Sequence, residues 1–149
     1  MGSRYGLQIR TAAPADAPGI AELMAAAGVV ISASALTARL EALRQEQGTA
    51  LLALEWGPPS GLIVLNWFRT LASDHLVAHV STLLVGPEER RRGIGRMLLK
   101  AGAQAARSAG CGELQLLVSP DEPGLQEFGL ANGFDAKGSV LTRGLRKKS

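Results

Sequence analysis

The stretch Leu83-Leu84-Val85-Gly86-Pro87-Glu88-Glu89-Arg90-Arg91-Arg92-Gly93-Ile94-Gly95-Arg96-Met97-Leu98-Leu99 gathers the residue types best suited to chemistry in this chain. An apolar run leads into a loop of arginines and two glycines, and the loop opens directly into an amphipathic helical pattern. The first turn of a helix has backbone N–H groups with no carbonyl to bond, at the positive end of the helix dipole. Glycines at 93 and 95 remove the side chains that would keep a phosphate off that backbone. Arg90, Arg91, Arg92 and Arg96 add guanidinium donors suited to anionic oxygens. The chemistry is that of a diphosphate cradle. An isolated Gly-x-Gly would be read as a plain strand–helix turn with solvated arginines; here strand, arginines, glycines and helix follow in the order an anion site needs. Two other phosphate loops are excluded. The sequence G-x-x-x-x-G-K-[ST] is absent, and the dinucleotide pattern G-x-G-x-x-G would need glycine where Leu98 stands.

These residues need a scaffold, and periodicity predicts one. Tyr5 to Arg10 alternates as a first strand, and Pro14 to Ala27 follows as a helix stopped by Gly28. A second helix spans about Ala33 to Gln47, capped by Ser32 or Ser34, with Leu36, Leu40 and Leu43 facing inward. Thr49 to Trp56 reads as a strand buried on both faces. Leu62 to Leu71 and Leu76 to Val85 are two more strands, and the short links predict an antiparallel meander. After the charged loop Gly86 to Gly93, Ile94 to Ala109 is a helix and Glu113 to Val118 a strand, long enough for a parallel crossover. Pro123 to Asn132 reads as a short helix. Phe134 to Lys137 and Ser139 to Leu145 read as a terminal hairpin around Gly138. No linker or repeat interrupts the pattern, so residues 1–149 are expected to form a single domain.

Composition narrows the partners. The chain has 149 residues, 46% hydrophobic and 19% charged, with 4% aromatic. That is too apolar for a disordered chain, and its core must be aliphatic. Sixteen Lys/Arg against thirteen Asp/Glu leave +3. The cations cluster at Arg90 to Lys100 and at Arg143 to Lys148, which favours a local anion site over a nucleic-acid face. Cys111 is the sole cysteine, so neither an internal disulfide nor a thiolate metal site is expected. No apolar run reaches membrane-spanning length, and the first residues lack the apolar stretch of a secretory signal, so a cytoplasmic, membrane-free protein is expected. Cys111 reads as an ordinary thiol and His75 as a solvated turn residue. Trp56, Trp67 and Phe68 read as sheet packing, with Trp67 or Phe68 able to face a cleft.

The central stretch resembles the GNAT family of N-acetyltransferases. Arg90-x-x-Gly93-x-Gly95 matches its Arg/Gln-x-x-Gly-x-Gly/Ala signature, and Val85-Gly86-Pro87 stands where that family ends a strand in Val-x-Pro. Leu7 to Ala12 is similar to its opening strand, Asn132-Gly133-Phe134 to the Leu-Gly-Phe before its last hairpin, and Leu141-Thr142-Arg143 to a common ending. The resemblance implies an α/β (α+β) fold: a mixed, mostly antiparallel sheet of six or seven strands, a central parallel β-α-β crossover, and helices on both faces. It implies acetyl-CoA as donor, an amine as acceptor, and homodimers as a frequent assembly. Main-chain N–H groups from about Arg91 to Arg96, with Ile94 among them, would hold the pyrophosphate. The pantetheine arm would run beside Leu83, Leu84 and Val85, and the thioester carbonyl would meet an N–H near Leu84 or Val85, a small oxyanion hole.

Counting back from Pro87, the positions where many relatives carry a glutamate base are His79 and Ser81. On a regular strand His79, Ser81, Leu83 and Val85 share one face, so His79 is the candidate general base. The tyrosine that relatives often place before Gly-Phe falls on Gly129, and their helix-start asparagine falls on Glu122. The implied function is therefore N-acetyl transfer to a primary amine of a small molecule or protein. The missing tyrosine motivates the alternative, a non-catalytic acyl-CoA-binding regulatory protein.

Overall fold

The computed structural model describes residues 6–87 and 93–146, which divide into two compact units at Leu117/Val118. The first unit runs β1 (Gln8–Thr11), a 3-10 turn (Pro14–Asp16), α1 (Ala17–Ala26), α2 (Ala33–Gln45), β2 (Gly48–Leu54), β3 (Gly61–Arg69), β4 (Leu76–Val85), α3 (Ile94–Ser108) and β5 (Cys111–Leu116). Its strands form one sheet in the order β1-β2-β3-β4-β5. The first four pair antiparallel, and β4 pairs parallel to β5. The meander and the crossover through α3 are thus as the turn residues and spacing imply. The sheet is mixed, but it has five strands among the described residues rather than six or seven.

Helices cover both faces. Ala50 and Leu52 of β2, Leu62 and Val64 of β3, and Leu84 of β4 pack with Ile20, Leu23, Leu36 and Leu40 of α1 and α2. The opposite face carries Ile63 and Leu65, which lie against Gly102 of α3. The run Ala50 to Ala53 is buried throughout, as a strand covered on both sides requires. Ser32, not Ser34, caps α2: its hydroxyl accepts the Ala35 N–H at 3.0 Å. Trp56 departs from the expected sheet packing. It lies beyond the end of β2, in the turn before β3, and is 83% exposed.

One ion pair ties β1 to the first helical turn. Arg10 donates from both terminal nitrogens to Asp16, at 2.9 and 2.8 Å, and Asp16 also accepts the Ala13 N–H at 2.7 Å. These hydrogen bonds, from Arg10 first, hold the Asp16 carboxyl below its ordinary value. A lowered carboxyl pKa stabilises the fold above the unfolded-state pKa and loses that contribution as pH falls through the folded one. Arg10 is partly exposed, so solvent screening limits the pair. Asp16→Ala is expected to lower the melting temperature by about 2–6 °C at pH 7, on the order of 1–2 kcal/mol. The gap from wild type should close as pH drops below about 4 in thermal melts. A gap that persisted in acid would assign the loss to packing instead.

The second unit contains α4 (Pro123–Ala131). Its C-terminus closes with the Gly133 N–H donating to Leu130 O at 3.4 Å and the Phe134 N–H donating to Gly129 O at 3.0 Å. That pair of bonds is a Schellman cap, which accounts physically for Asn132-Gly133-Phe134. The expected hairpin is not formed: residues 134–145 carry no strand, and Val140, Leu141 and Leu145 are exposed. A two-stranded hairpin is marginal without further strands or a helix to pack on.

Candidate functional site

β4 is the strand on which the site depends. Its pairing with β3 continues to Val85, opposite Gly61. Its pairing with β5 stops at Val80, opposite Leu116. The last five residues, Ser81 to Val85, thus have a strand on one side only among the described residues, leaving roughly 17 Å of main-chain edge. The end of β4 is pinned: the Gly86 N–H donates to Ser60 O at 2.9 Å, and Ser60 in turn donates to Ala53 O from its N–H at 2.8 Å and its hydroxyl at 3.1 Å.

α3 begins beyond the loop. Gly93 is its N-cap, in the left-handed region at φ +79°, with no side chain capping the turn and no acidic residue in it. A Cβ on Gly93 would meet no described residue within 4 Å, its chain neighbours aside. The first intrahelical bond runs from the Met97 N–H to Gly93 O at 3.0 Å, so the N–H groups of Ile94, Gly95 and Arg96 have no carbonyl within the helix. Ile94 anchors this turn in the core at 1% exposed, Gly95 is half-buried, and Arg96 is exposed. Arg90, Arg91 and Arg92 lie outside the described residues.

The register corrects one expectation. Val64 pairs with Thr82 and Leu65 with Val80, so Ser81 is an extra residue, a β-bulge. The bulge switches the alternation. His79 pairs with Asn66, and Leu84 pairs with Leu62 on the same face of β3. Leu83 and Val85, opposite Ile63 and Gly61, fall on the face that α3 covers. His79 therefore shares a face with Thr82 and Leu84, not with Leu83 and Val85. The His79 ring packs edge-on against Phe68, with centroids 4.9 Å apart, so Phe68 rather than Trp67 is on the histidine's side. Ser81 donates its hydroxyl to Asn66 Oδ1 at 2.9 Å. Sequence reasoning missed Asn66, although a lone amide within the apolar run of β3 was a visible signal.

Other candidates are placed apart from this strand edge. His75 lies in the turn before β4, its ring Nδ1 3.2 Å from Ser73 Oγ. Partial burial pushes the Cys111 thiol above its ordinary value, which disfavours a reactive thiolate. A cavity of about 230 Å³ between α2 and strands β1 and β2 is lined by Thr11, Leu40, Arg44 and Gly48, among others, and by none of the loop or β4 residues. Among the described residues no group of three or more His, Cys, Asp or Glu could hold a metal. No described helix is long and apolar enough to cross a membrane.

The chain matches the acetyltransferase (GNAT) family over residues 20–134, most of its length, and belongs to that family. Solved structures share the fold. An aminoglycoside acetyltransferase, meta-AAC0020, from an uncultured soil metagenomic sample, solved with sisomicin, is 20% identical with a TM-score of 0.78, covering 97% of this chain and 99% of that one. The aminoglycoside N-acetyltransferase AAC(6')-Iy, solved with CoA, is 21% identical with a TM-score of 0.81, covering 94% and 95%. Glucosamine-6-phosphate N-acetyltransferase from Arabidopsis thaliana is 15% identical with a TM-score of 0.77, covering 94% and 99%. No curated protein sequence matches the chain.

Proposed function

We propose that the protein is an acetyl-CoA-dependent N-acetyltransferase that acetylates a primary amine by direct attack in a ternary complex. The observation that carries this reading is one juxtaposition: a β4 edge from Ser81 to Val85 that no described strand pairs, followed beyond the loop by a helix whose first N–H groups are unbonded within it. The edge offers main-chain groups to an extended amide-bearing arm. The helix start offers N–H donors and a positive dipole to a diphosphate. In this reading Ile94, Gly95 and Arg96 supply main-chain donors, Gly93 leaves the approach open, and Arg90, Arg91 and Arg92 add charge. Leu83 and Val85, whose main-chain groups face the open edge, hold the arm, with Leu84 between them bonded to β3.

The reaction then needs few groups. The amine lone pair attacks the thioester carbonyl carbon, the C–N bond forms, and negative charge on the oxygen is met by the Val85 N–H; the Leu84 N–H, in register with the Gly86–Ser60 bond, is turned to β3 instead. The C–S bond breaks as the carbonyl re-forms, and coenzyme A leaves as thiolate. The amine proton passes to His79, directly or through water, and finally to the thiolate. A thiol pKa of about 8.5 makes thiolate release at neutral pH uphill by only ~2 kcal/mol, so glycine at 129 in place of a tyrosine acid is compatible with turnover.

Two measurements test the proposal. Isothermal titration should show saturable binding of acetyl-CoA, and a thiol-release assay over a panel of primary amines should show turnover. His79→Ala should then reduce kcat by about a hundredfold, the lower end of general-base contributions, with acetyl-CoA affinity retained. An unchanged kcat would remove His79 from the mechanism. Saturable CoA binding with no turnover on any amine would instead favour a regulatory acyl-CoA binder.

A further inference from the structure

Ser81 is at once the bulge residue of β4 and the first residue past the last β4–β5 pair. It is exposed, and its hydroxyl donates to Asn66 Oδ1 at 2.9 Å, with Val64 O a more distant acceptor at 3.4 Å. A serine hydroxyl has one proton and two lone pairs. With the proton committed to Asn66, what Ser81 presents at the head of the free edge is lone pairs. That polarity suits an N–H and repels a carbonyl oxygen.

The Asn66 amide presents Oδ1 to Ser81. It pairs across the sheet with Gly48, and a Cβ on Gly48 would lie 3.2 Å from Asn66 Nδ2. The absent side chain leaves room for the Asn66 amide over β2, with its NH2 end on that side. The chain Gly48–Asn66–Ser81 crosses three strands and ends at the point where β4 and β5 part.

We propose that Ser81 binds the acceptor amine, its oxygen accepting an N–H so that the nitrogen lone pair is left to face the thioester, and that Asn66 is the positioning residue that keeps the Ser81 proton out of the way. This rests on the acetyl-transfer reading. A neutral primary amine has two N–H bonds and one lone pair, and holding an N–H on a fixed acceptor orients that lone pair. His79, two residues before Ser81 on β4 and paired with Asn66, is then placed to take the proton, so seating and deprotonation fall to different residues.

The test uses sisomicin, glucosamine 6-phosphate, spermidine and lysine amide as probes, with thiol release measured for the one acetylated fastest. Ser81→Ala should raise KM for that amine about three- to tenfold, the range for one neutral hydrogen bond, while the dissociation constant for coenzyme A stays unchanged. Ser81→Thr should restore KM by returning the hydroxyl. Asn66→Leu, which frees the hydroxyl proton, should raise KM as Ser81→Ala does, and Asn66→Asp, which keeps an acceptor, should not. An unchanged amine KM in Ser81→Ala, or equal weakening of coenzyme A binding, overturns the assignment to Ser81 and leaves the transferase reading intact. Coenzyme A binding by wild type without acetylation of any probe overturns both.

Discussion

Gly93→Val is expected to raise the dissociation constant for coenzyme A by about a hundredfold, or ~2.7 kcal/mol. Two effects add. Gly93 stands at φ +79°, a region that a β-branched residue enters only under strain of about 1–3 kcal/mol. The space into which its side chain would grow holds no atom of the described residues within 4 Å, its chain neighbours aside, and it adjoins the N–H groups of Ile94, Gly95 and Arg96, which have no partner within the helix. Gly93→Asn separates the two effects, because asparagine tolerates the left-handed region. If crowding of an anion is at work, asparagine should also weaken binding, by about tenfold, with little change in melting temperature. Turnover of S-acetyl-N-acetylcysteamine, a thioester with no diphosphate, should be indifferent to both variants. Full coenzyme A affinity in Gly93→Val by calorimetry would end the cradle interpretation.

What the sequence carried and what it hid divide along a physical line. β4 was legible end to end, because a long apolar stretch between turn residues has only one good solution. α3 was legible because Ile94, Met97, Leu98 and Ala101 recur with helical spacing; of these Ile94 and Leu98 are buried and Met97 is exposed. The faces of β4 were not legible. One extra residue at Ser81 alters no composition and no propensity, yet it moves His79 to the opposite side from Leu83. Only the partner strand reveals it, since a bulge is a property of a pair. The hairpin at 134–145 erred the other way. Val140 and Thr142 alternate with Leu141 and Arg143 as a strand would, but strand formation depends on non-local neighbours that local pattern does not encode. The loop reads as a diphosphate site from its order of residue types, and its arginines 90–92 lie outside what the structure describes.

Gly61→Val joins the sheet to that loop and should have the largest effect on stability. Gly61 begins β3, between Ala53 and Val85. A Cβ there would lie 2.7 Å from Leu98 Cδ1, 3.0 Å from Ile94 Cγ2 and 3.2 Å from Leu84 O. The leucine tip can turn aside. The isoleucine branch is stiff at χ1, and the carbonyl belongs to the strand itself. A valine must therefore lift the first turn of α3 off the sheet, where Ile94 and Leu98 are almost wholly buried. Overpacking of this kind costs about 3 kcal/mol, or roughly 6–12 °C in melting temperature for a chain of this size. Because the lifted turn carries the N–H groups of Ile94 to Arg96, coenzyme A affinity should fall together with stability. Adding Leu98→Ala to Gly61→Val makes room for the new side chain, so the double variant should melt above the value expected from summing the two single losses. Thermal melts and calorimetry on the four proteins decide the matter. A fall in melting temperature with coenzyme A affinity intact would mean that the helix start binds independently of how it is seated on β3.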